Sequence, residues 1–325
     1  MTLRLHRVTI AAVLAGLTLL PAPTALDAQA PAPLQITLLG TGNPRPTPER
    51  YGPAILIEAG PRAVLIDAGR GSTQRLFEIG QRALLTRLDA VFFTHLHSDH
   101  VVGLPDLFLT AWVFGRATPH LIVGPPGTVE MCRHLEQAFA FDRRVRAADE
   151  GFPAAGATLA ATDAAPGVVF DRDGLRVTAF AVDHGQVATP AYGYRVDYQG
   201  RSAAFSGDTR YFEPLVEHAR GVDVLVHEVI SPEVEMRRAQ VQGAAAIERI
   251  VARHASPEQV GTVFARVKPK LGVYSHIVPS PATAEDLIAP TRRTYDGPLA
   301  VGYDLMTIAI GEAVEVFPRR TLSDR

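Results

Sequence analysis

Cysteine is almost absent. The 325-residue chain has one, Cys132, which cannot close an intramolecular disulfide and cannot alone build a thiolate cage for a metal. Any metal must be held by histidine and carboxylate. Lysine is nearly as scarce, with only Lys268 and Lys270, and 32 basic against 34 acidic side chains leave a net charge of -2. The chain therefore lacks the positive field that drives counterion release on nucleic acid. The apolar run Val8 to Leu20 has about 13 residues, short of the roughly 20 that cross a bilayer as a helix. No internal repeat is present, and 47% hydrophobic with 20% charged residues excludes disorder, collagen and coiled coil.

The first thirty residues have the three-part layout of a secretory leader: Arg4 and Arg7, then the apolar run, then small residues in Ala25-Leu26-Asp27-Ala28-Gln29-Ala30. Cleavage after Ala30 fits the small-x-small pattern, but Pro31 would follow the cut, so cleavage after Ala28 competes. The expected division is a signal peptide over 1–30 and one domain over 31–325, exported to the periplasm or secreted, with no membrane span once the leader is gone. Loss of Arg4, Arg7 and Asp27 leaves 30 basic against 33 acidic side chains.

From Leu34 onward short runs rich in Ile, Val, Leu and Phe, each bounded by Gly, Pro or charge, read as buried strands. They are Leu34–Leu39, Ala54–Ile57, Ala63–Ile66, Ala90–Phe93, Leu121–Val123, Leu175–Val182, Gly193–Tyr198, Ser202–Phe205, Val222–Val226, Leu271–Tyr274, Leu299–Val301 and Met306–Ile310. Apolar residues at three- and four-residue steps predict helices over Thr128–Phe141, with Cys132 on the core stripe, and over Val241–Arg253. Ser256, Pro257 and Gln259 form a capping-box signature. Ala147–Ala165, Ala/Gly-rich and weakly periodic, is expected to be a surface excursion. Strands in two batches, each followed by helices, suggest an α/β sandwich.

The chemistry concentrates where Val91-Phe92-Phe93 runs into His95-Leu96-His97-Ser98-Asp99-His100: three imidazoles and a carboxylate within six residues. These are the ligands that Zn²⁺ accepts without thiolate. Alternation puts His95 and His97 on one side, the turn adds Asp99 and His100, and a second ion roughly 3.5–4 Å from the first is geometrically natural.

His95-x-His97-x-Asp99-His100 resembles the signature of the metallo-β-lactamase superfamily. The resemblance continues in family order through Val182-Asp183-His184, Ser206-Gly207-Asp208-Thr209 and Tyr274-Ser275-His276, each at a strand end. It implies an α/β fold of the four-layer αβ/βα sandwich type and two zinc ions per chain. His95, His97 and His184 would hold the first, Asp99, His100 and His276 the second, with Asp208 bridging. Within the superfamily the chain looks similar to the branch of tRNase Z and the zinc-dependent arylsulfatases, through Leu39-Gly40-Thr41-Gly42, Asp67-Ala68-Gly69 with Gln74, Gly103-Leu104-Pro105, Gly124-Pro125-Pro126-Gly127, Gly193-Tyr194-Arg195 and His227-Glu228. Asp208 stands where B1 lactamases carry cysteine, which argues against that class. The long tRNA-gripping arm of many tRNase Z enzymes is missing: only Val196 to Phe205 separate Arg195 from Ser206-Gly207-Asp208, and Arg143-Arg144-x-Arg146 reads as a solvated face.

The expectation from these residues is an exported dinuclear zinc hydrolase that attacks small sulfate or phosphate esters with a metal-bridging hydroxide, an esterase of arylsulfatase or phosphodiesterase type. A tRNase Z-like 3′ endoribonuclease is the first alternative. A lactonase or β-lactamase is the second, suggested by Tyr211, three residues after Asp208. Asp99 would orient the hydroxide; His227 would either donate a proton to the leaving group or hold Asp99 in position. His254 belongs either to the pocket or to the surface, and Asp67 is read as a hydrogen-bond acceptor beneath the metal loop. The expected partner is a small-molecule ester, nucleic acid is not expected, and a homodimer is among the permitted states.

Overall fold

The computed structural model describes residues 34–186, 190–237, 239–279 and 281–319. The expected leader lies outside them. Six strands enter a first sheet in chain order: β1 (Leu34–Gly40), β2 (Ala54–Ala59), β3 (Arg62–Ile66), β4 (Ala90–Phe92), β5 (His120–Gly124) and β6 (Leu159–Asp163). Seven then build a second: β7 (Gly167–Arg172), β8 (Leu175–Val182), β9 (Ala191–Tyr198), β10 (Arg201–Phe205), β11 (Val224–Ile230), β12 (Leu271–Val278) and β13 (Leu299–Val301). The chain returns to the first sheet with β14 (Thr307–Ile310) and β15 (Val314–Phe317). The strand orders are β15-β14-β1-β2-β3-β4-β5-β6 and β13-β12-β11-β10-β9-β8-β7.

Period-two alternation explains why the two sheets stack. In β1, Leu34, Ile36 and Leu38 point into a cluster shared with Val177, Tyr194, Val196 and Phe205 of the second sheet, whereas Leu39 packs toward the helices on the outer face. In β11, Val224 and Val226 face the first sheet, and Leu225 and Val229 face Val260 and Phe264 of the helix Pro257–Val267. On the other outer face, Leu76 and Leu84 of the helix Ser72–Arg87 and Leu107 and Phe108 of the helix Leu104–Val113 cover the first sheet. The result is the four-layer αβ/βα sandwich. No helix among the described residues is long and apolar enough to cross a membrane.

The capping box at Ser256 is present in both halves: the Ser256 hydroxyl accepts from the Gln259 N–H, and the Gln259 side chain accepts from the Ser256 N–H. Three expectations need correction. The helix over Thr128–Phe141 breaks at Phe139 into Thr128–Ala138 and Ala140–Asp149. The helix over Val241–Arg253 is cut at Gly243, whose φ of 81° lies in the left-handed region, leaving Ala239–Gln242 and Ala244–Val251. The supposed surface excursion holds β6, which pairs in parallel with β5 and buries Leu159 against the outer helices. As an edge strand with one covered face it needs few large side chains, which is why composition concealed it.

A carboxylate ties the two sheets together where the chain crosses back. Asp304, between β13 and β14, accepts from the N–H and hydroxyl of Thr41 at 3.0 and 2.9 Å, from the Tyr51 N–H at 2.8 Å and from Arg75 at 3.2 Å. The Thr41 carbonyl in turn accepts from the Ile277 N–H of β12.

A buried histidine in the first sheet sets an acid limit. His120 opens β5, is 2% exposed and packs edge-on against Phe108; burial and the Arg116 charge push its pKa from 6.5 down to about 3. The unfolded chain therefore binds this proton first as pH falls, so the stability contributed by neutral His120 is whole above pH 6.5 and drains away toward pH 3. Between pH 7 and pH 4 the loss amounts to at most about 3 kcal/mol. We expect His120→Leu to lose less stability than the wild type over that interval, read as the shift in urea midpoint between the two pH values. Equal shifts would contradict this assignment.

Candidate metal centre

The strand ends of both sheets meet at one edge of the sandwich, and the polar residues of the sequence motifs meet there. β4 stops at Phe92, so His95 and His97 lie in the following loop, and Asp99 and His100 in the single helical turn Ser98–Val101. His184 follows β8, Asp208 follows β10, and His276 lies within β12. His95 Nε2 is 2.8 Å from His97 Nδ1, and His184 Nε2 is 3.3 Å from the same atom. On the other side, His276 Nε2 is 3.4 Å from Asp99 Oδ2, and His100 Nε2 is 3.6 Å from it. Asp208 stands between these groups, with its oxygens 3.9 Å from His95 Nε2, 3.7 Å from His184 Nε2, 3.5 Å from His100 Nε2 and 3.3 Å from His276 Nε2.

The donor set fits a pair of divalent ions. The trios His95–His97–His184, His95–His100–Asp208 and Asp99–His100–His276 each bring three ligand atoms within 4.8 Å of one another. Three of the outward nitrogens are already engaged: His184 Nδ1 with the Arg253 carbonyl at 3.1 Å, His100 Nδ1 with Asp67 at 2.8 Å, and His95 Nδ1 with the Thr94 hydroxyl at 3.1 Å. An imidazole that spends one nitrogen this way turns the lone pair of the other inward. His100 Nε2 and Asp208 Oδ1 are buried and have no hydrogen-bond partner, an arrangement that a cation between them relieves.

The electrostatics agree with the geometry. Burial drives the His95 pKa well below its ordinary value. Burial alone would raise the carboxyl of Asp208, but His276, His100 and His95 hold it well below the usual range. Asp67 plays the supporting part read from the sequence: it also accepts from the Thr94 N–H at 2.8 Å, with its own φ at 58°. His276 has φ 45°, so two residues that shape the centre occupy a region costly for side chains with a Cβ. Gly207 (φ 59°) is needed beside Asp208 because a Cβ there would come within 2.5 Å of the Tyr192 carbonyl.

His227 does not join the cluster. It shares its side of β11 with Leu225 and Val229, is 1% exposed, gives its Nδ1 to the Glu228 carbonyl at 2.7 Å and faces Phe264 edge-on. Its neighbour Glu228 points inward, where Oε1 lies 3.1 Å from His254 Nδ1 and accepts from the Ala255 N–H. His254, left open between pocket and surface, lies beside the ligands, its ring centroid 5.0 Å from that of His184 and 5.7 Å from that of His276. Burial opposes its protonation, but the Glu228 carboxylate raises its pKa to about 9. Strand parity carried the missed signal, since Glu228, not His227, is in step with Val224 and Val226. The Tyr211 hydroxyl is engaged by its own neighbours: it donates to Glu213 at 2.8 Å and accepts from Arg266 at 3.0 Å.

Comparison with known proteins agrees with this arrangement. Residues 62–277 match the model of a family described as the beta-lactamase superfamily domain. A ribonuclease Z of Mycobacterium bovis (strain BCG / Pasteur 1173P2) is 36% identical over 292 residues, covering 88% of this chain and 100% of that protein. A ribonuclease Z of Mycobacterium marinum (strain ATCC BAA-535 / M) is 35% identical over 284 residues, covering 85% and 99%. Among solved structures, the short form of human tRNase Z superposes with a TM-score of 0.62 at 22% identity, covering 85% of this chain and 99% of that one. The metallo-β-lactamase fold protein YhfI of Bacillus subtilis gives 0.65 at 16%, with the same coverage.

These relatives overturn the expectation that nucleic acid is not a partner. Proteins named for a ribonuclease align with this chain over essentially their whole length. The short β9–β10 link therefore cannot set this chain apart from them, and they favour the nuclease alternative over the sulfate-ester reading. By family model, relatives and fold, the chain belongs to the metallo-β-lactamase superfamily of hydrolases, in its tRNase Z branch.

Proposed function

We propose that this protein is a dinuclear zinc phosphodiesterase that cleaves RNA in the manner of a tRNase Z. The observation that carries the reading is the carboxylate of Asp208 set between two clusters of ligand atoms, in a chain that matches ribonucleases Z along their full length. His95, His97 and His184 would hold one ion, Asp99, His100 and His276 the other, with Asp208 shared between them. Ions bound there supply Lewis acidity, lowering the pKa of water and polarising the phosphoryl oxygen.

The chain's own groups supply the proton traffic. Asp99 orients the attacking water and takes its proton as oxygen adds to phosphorus. The bond from phosphorus to the leaving alkoxide breaks, and His254, kept protonated by Glu228, gives that alkoxide its proton. Cleavage of a tRNA precursor at its 3′ trailer by zinc-loaded protein is the direct test. Hydrolysis of small phosphodiesters without any cleavage of RNA would overturn the RNA reading while leaving a phosphodiesterase. Residues 1–30 are proposed as an export signal, so the protein recovered outside the cytoplasm should begin at Gln29 or Pro31, as intact mass will report.

Metal content after dialysis should be close to two zinc ions per chain. Asp208→Ala should lose both more readily than His276→Ala loses one, because only Asp208 touches both clusters. A folded protein that retains no zinc would sink the assignment.

The leaving group separates His254 from His227. We expect His254→Ala to slow cleavage of alkyl phosphodiesters by roughly 100-fold or more, and nitrophenyl diesters, whose leaving group is stable as an anion, far less. His227→Ala should lower the melting temperature, since it empties a buried site under Phe264, with no such dependence on leaving group. Equal losses for both substrates in His254→Ala would place His254 outside the proton transfer.

A further inference from the structure

The link between the helix Ala244–Val251 and the cap Ser256 delivers more than His254. Arg253 immediately precedes it, and its main-chain carbonyl fixes the tautomer of His184. Its side chain takes a separate course. The stem lies across Gly185, where a Cβ would meet Arg253 Cγ at 3.4 Å, Nε at 3.6 Å and Cδ at 3.7 Å. Gly185 has φ 86° and directly follows the ligand His184, so the guanidinium is laid over the loop that carries that ligand.

Arg253 has no carboxylate partner among the described residues, whereas nearby Arg210 is spent on Asp183 at 2.6 Å and Arg45 on the buried Glu235. His97, 3.3 Å from His184 Nε2, alone among the seven ligands is not buried and so marks the open side of the centre on this flank. An unneutralised guanidinium, half-buried, at the open side of a cation-binding cluster has a clear chemical use. Its planar fork of N–H donors matches two oxygens of a phosphoryl group.

We propose that Arg253 is the substrate-positioning residue of this site, its guanidinium taking the non-bridging oxygens of the scissile phosphodiester as the diester approaches the metal cluster. This rests on the phosphodiesterase reading and narrows it. A neutral ester or lactam has no anionic oxygen for Arg253 to hold, so this side chain selects a charged phosphoryl centre over an uncharged acyl one. Positioning by a side chain outside the ligand set acts on binding before it acts on the chemical step.

The test compares the zinc-loaded wild type with Arg253→Ala and Arg253→Lys. Three readouts are used: zinc content, the dissociation constant of inorganic phosphate by calorimetry, and kcat and KM for bis(4-nitrophenyl) phosphate beside 4-nitrophenyl acetate. The expected result is two zincs in each variant, since the carbonyl that orients His184 is untouched, and phosphate binding weakened about tenfold or more in Arg253→Ala. The KM for the diester should rise by a similar factor, with a much smaller effect on the neutral ester and partial recovery in Arg253→Lys. Unchanged phosphate affinity, or equal losses on diester and neutral ester, would overturn the proposal. A wild type that binds phosphate but hydrolyses no diester would count against the phosphodiesterase reading, and the calorimetric comparison would still decide the role of Arg253.

Discussion

A carboxylate buried among imidazoles is the constraint around which this molecule is organised. Isolated from water, the charge of Asp208 would cost several kcal/mol unless cations or protonated partners surround it. Its partners come from distant stretches of chain: the loop after β4, the end of β8 and the interior of β12. They can meet only if the C-terminal ends of strands from both sheets open at one edge of the sandwich. The stacking of β1, β2 and β3 against β9, β10 and β11, through inward residues spaced two apart, is thus more than a way to bury apolar surface, for it brings the two halves of the centre into register. In that sense Ile36, Phe92 and Tyr194 serve the histidine and carboxylate cluster from a distance.

The polar supports divide their labour. Asp67 and Thr94 hold His95 and His100 from below, the Arg253 carbonyl holds His184 from the side, and two Arg210 N–H groups donating to one oxygen of Asp183 bind the loop carrying His184 to the loop carrying Asp208. Each contact fixes a ring or a loop that would otherwise need entropy removed when a ligand binds. Because these contacts are short-range and within each loop pair, the centre is preorganised by the fold itself.

Much of this was legible in the sequence, and for an identifiable reason. His95 to His100 lie within six residues, so their proximity needs no tertiary knowledge, whereas His184, Asp208 and His276 were added because the resemblance to the metallo-β-lactamase superfamily implies them, each at a strand end. His227 was read toward the centre because His227 and Glu228 are neighbours on opposite sides of β11, and only parity with Val224 and Val226 tells which of them faces the cluster. His254 depended on a return of the chain 26 residues after Glu228, through helices interrupted at Gly243 that periodicity alone runs together. β6 escaped notice because small residues suffice at a sheet edge. The charge balance was read correctly but weighed wrongly: net charge describes the whole surface, whereas an anionic substrate responds to the few cations left unpaired beside the site.

The return of β14 to the first sheet carries a consequence for how the chain matures. β1 pairs with β2 on one side and with β14 on the other, Leu34 lying opposite Ile310. Until residues 307–310 are available, one edge of β1 is an open ladder of N–H and C=O groups flanked by Leu34, Ile36 and Leu38. Contacts of such sequence separation form late and slowly, because a long loop must close before any of them contributes. A nascent or C-terminally shortened chain therefore presents an apolar strand edge to its neighbours, and the last strands of the sequence act as the cover that keeps the first one from pairing with another molecule.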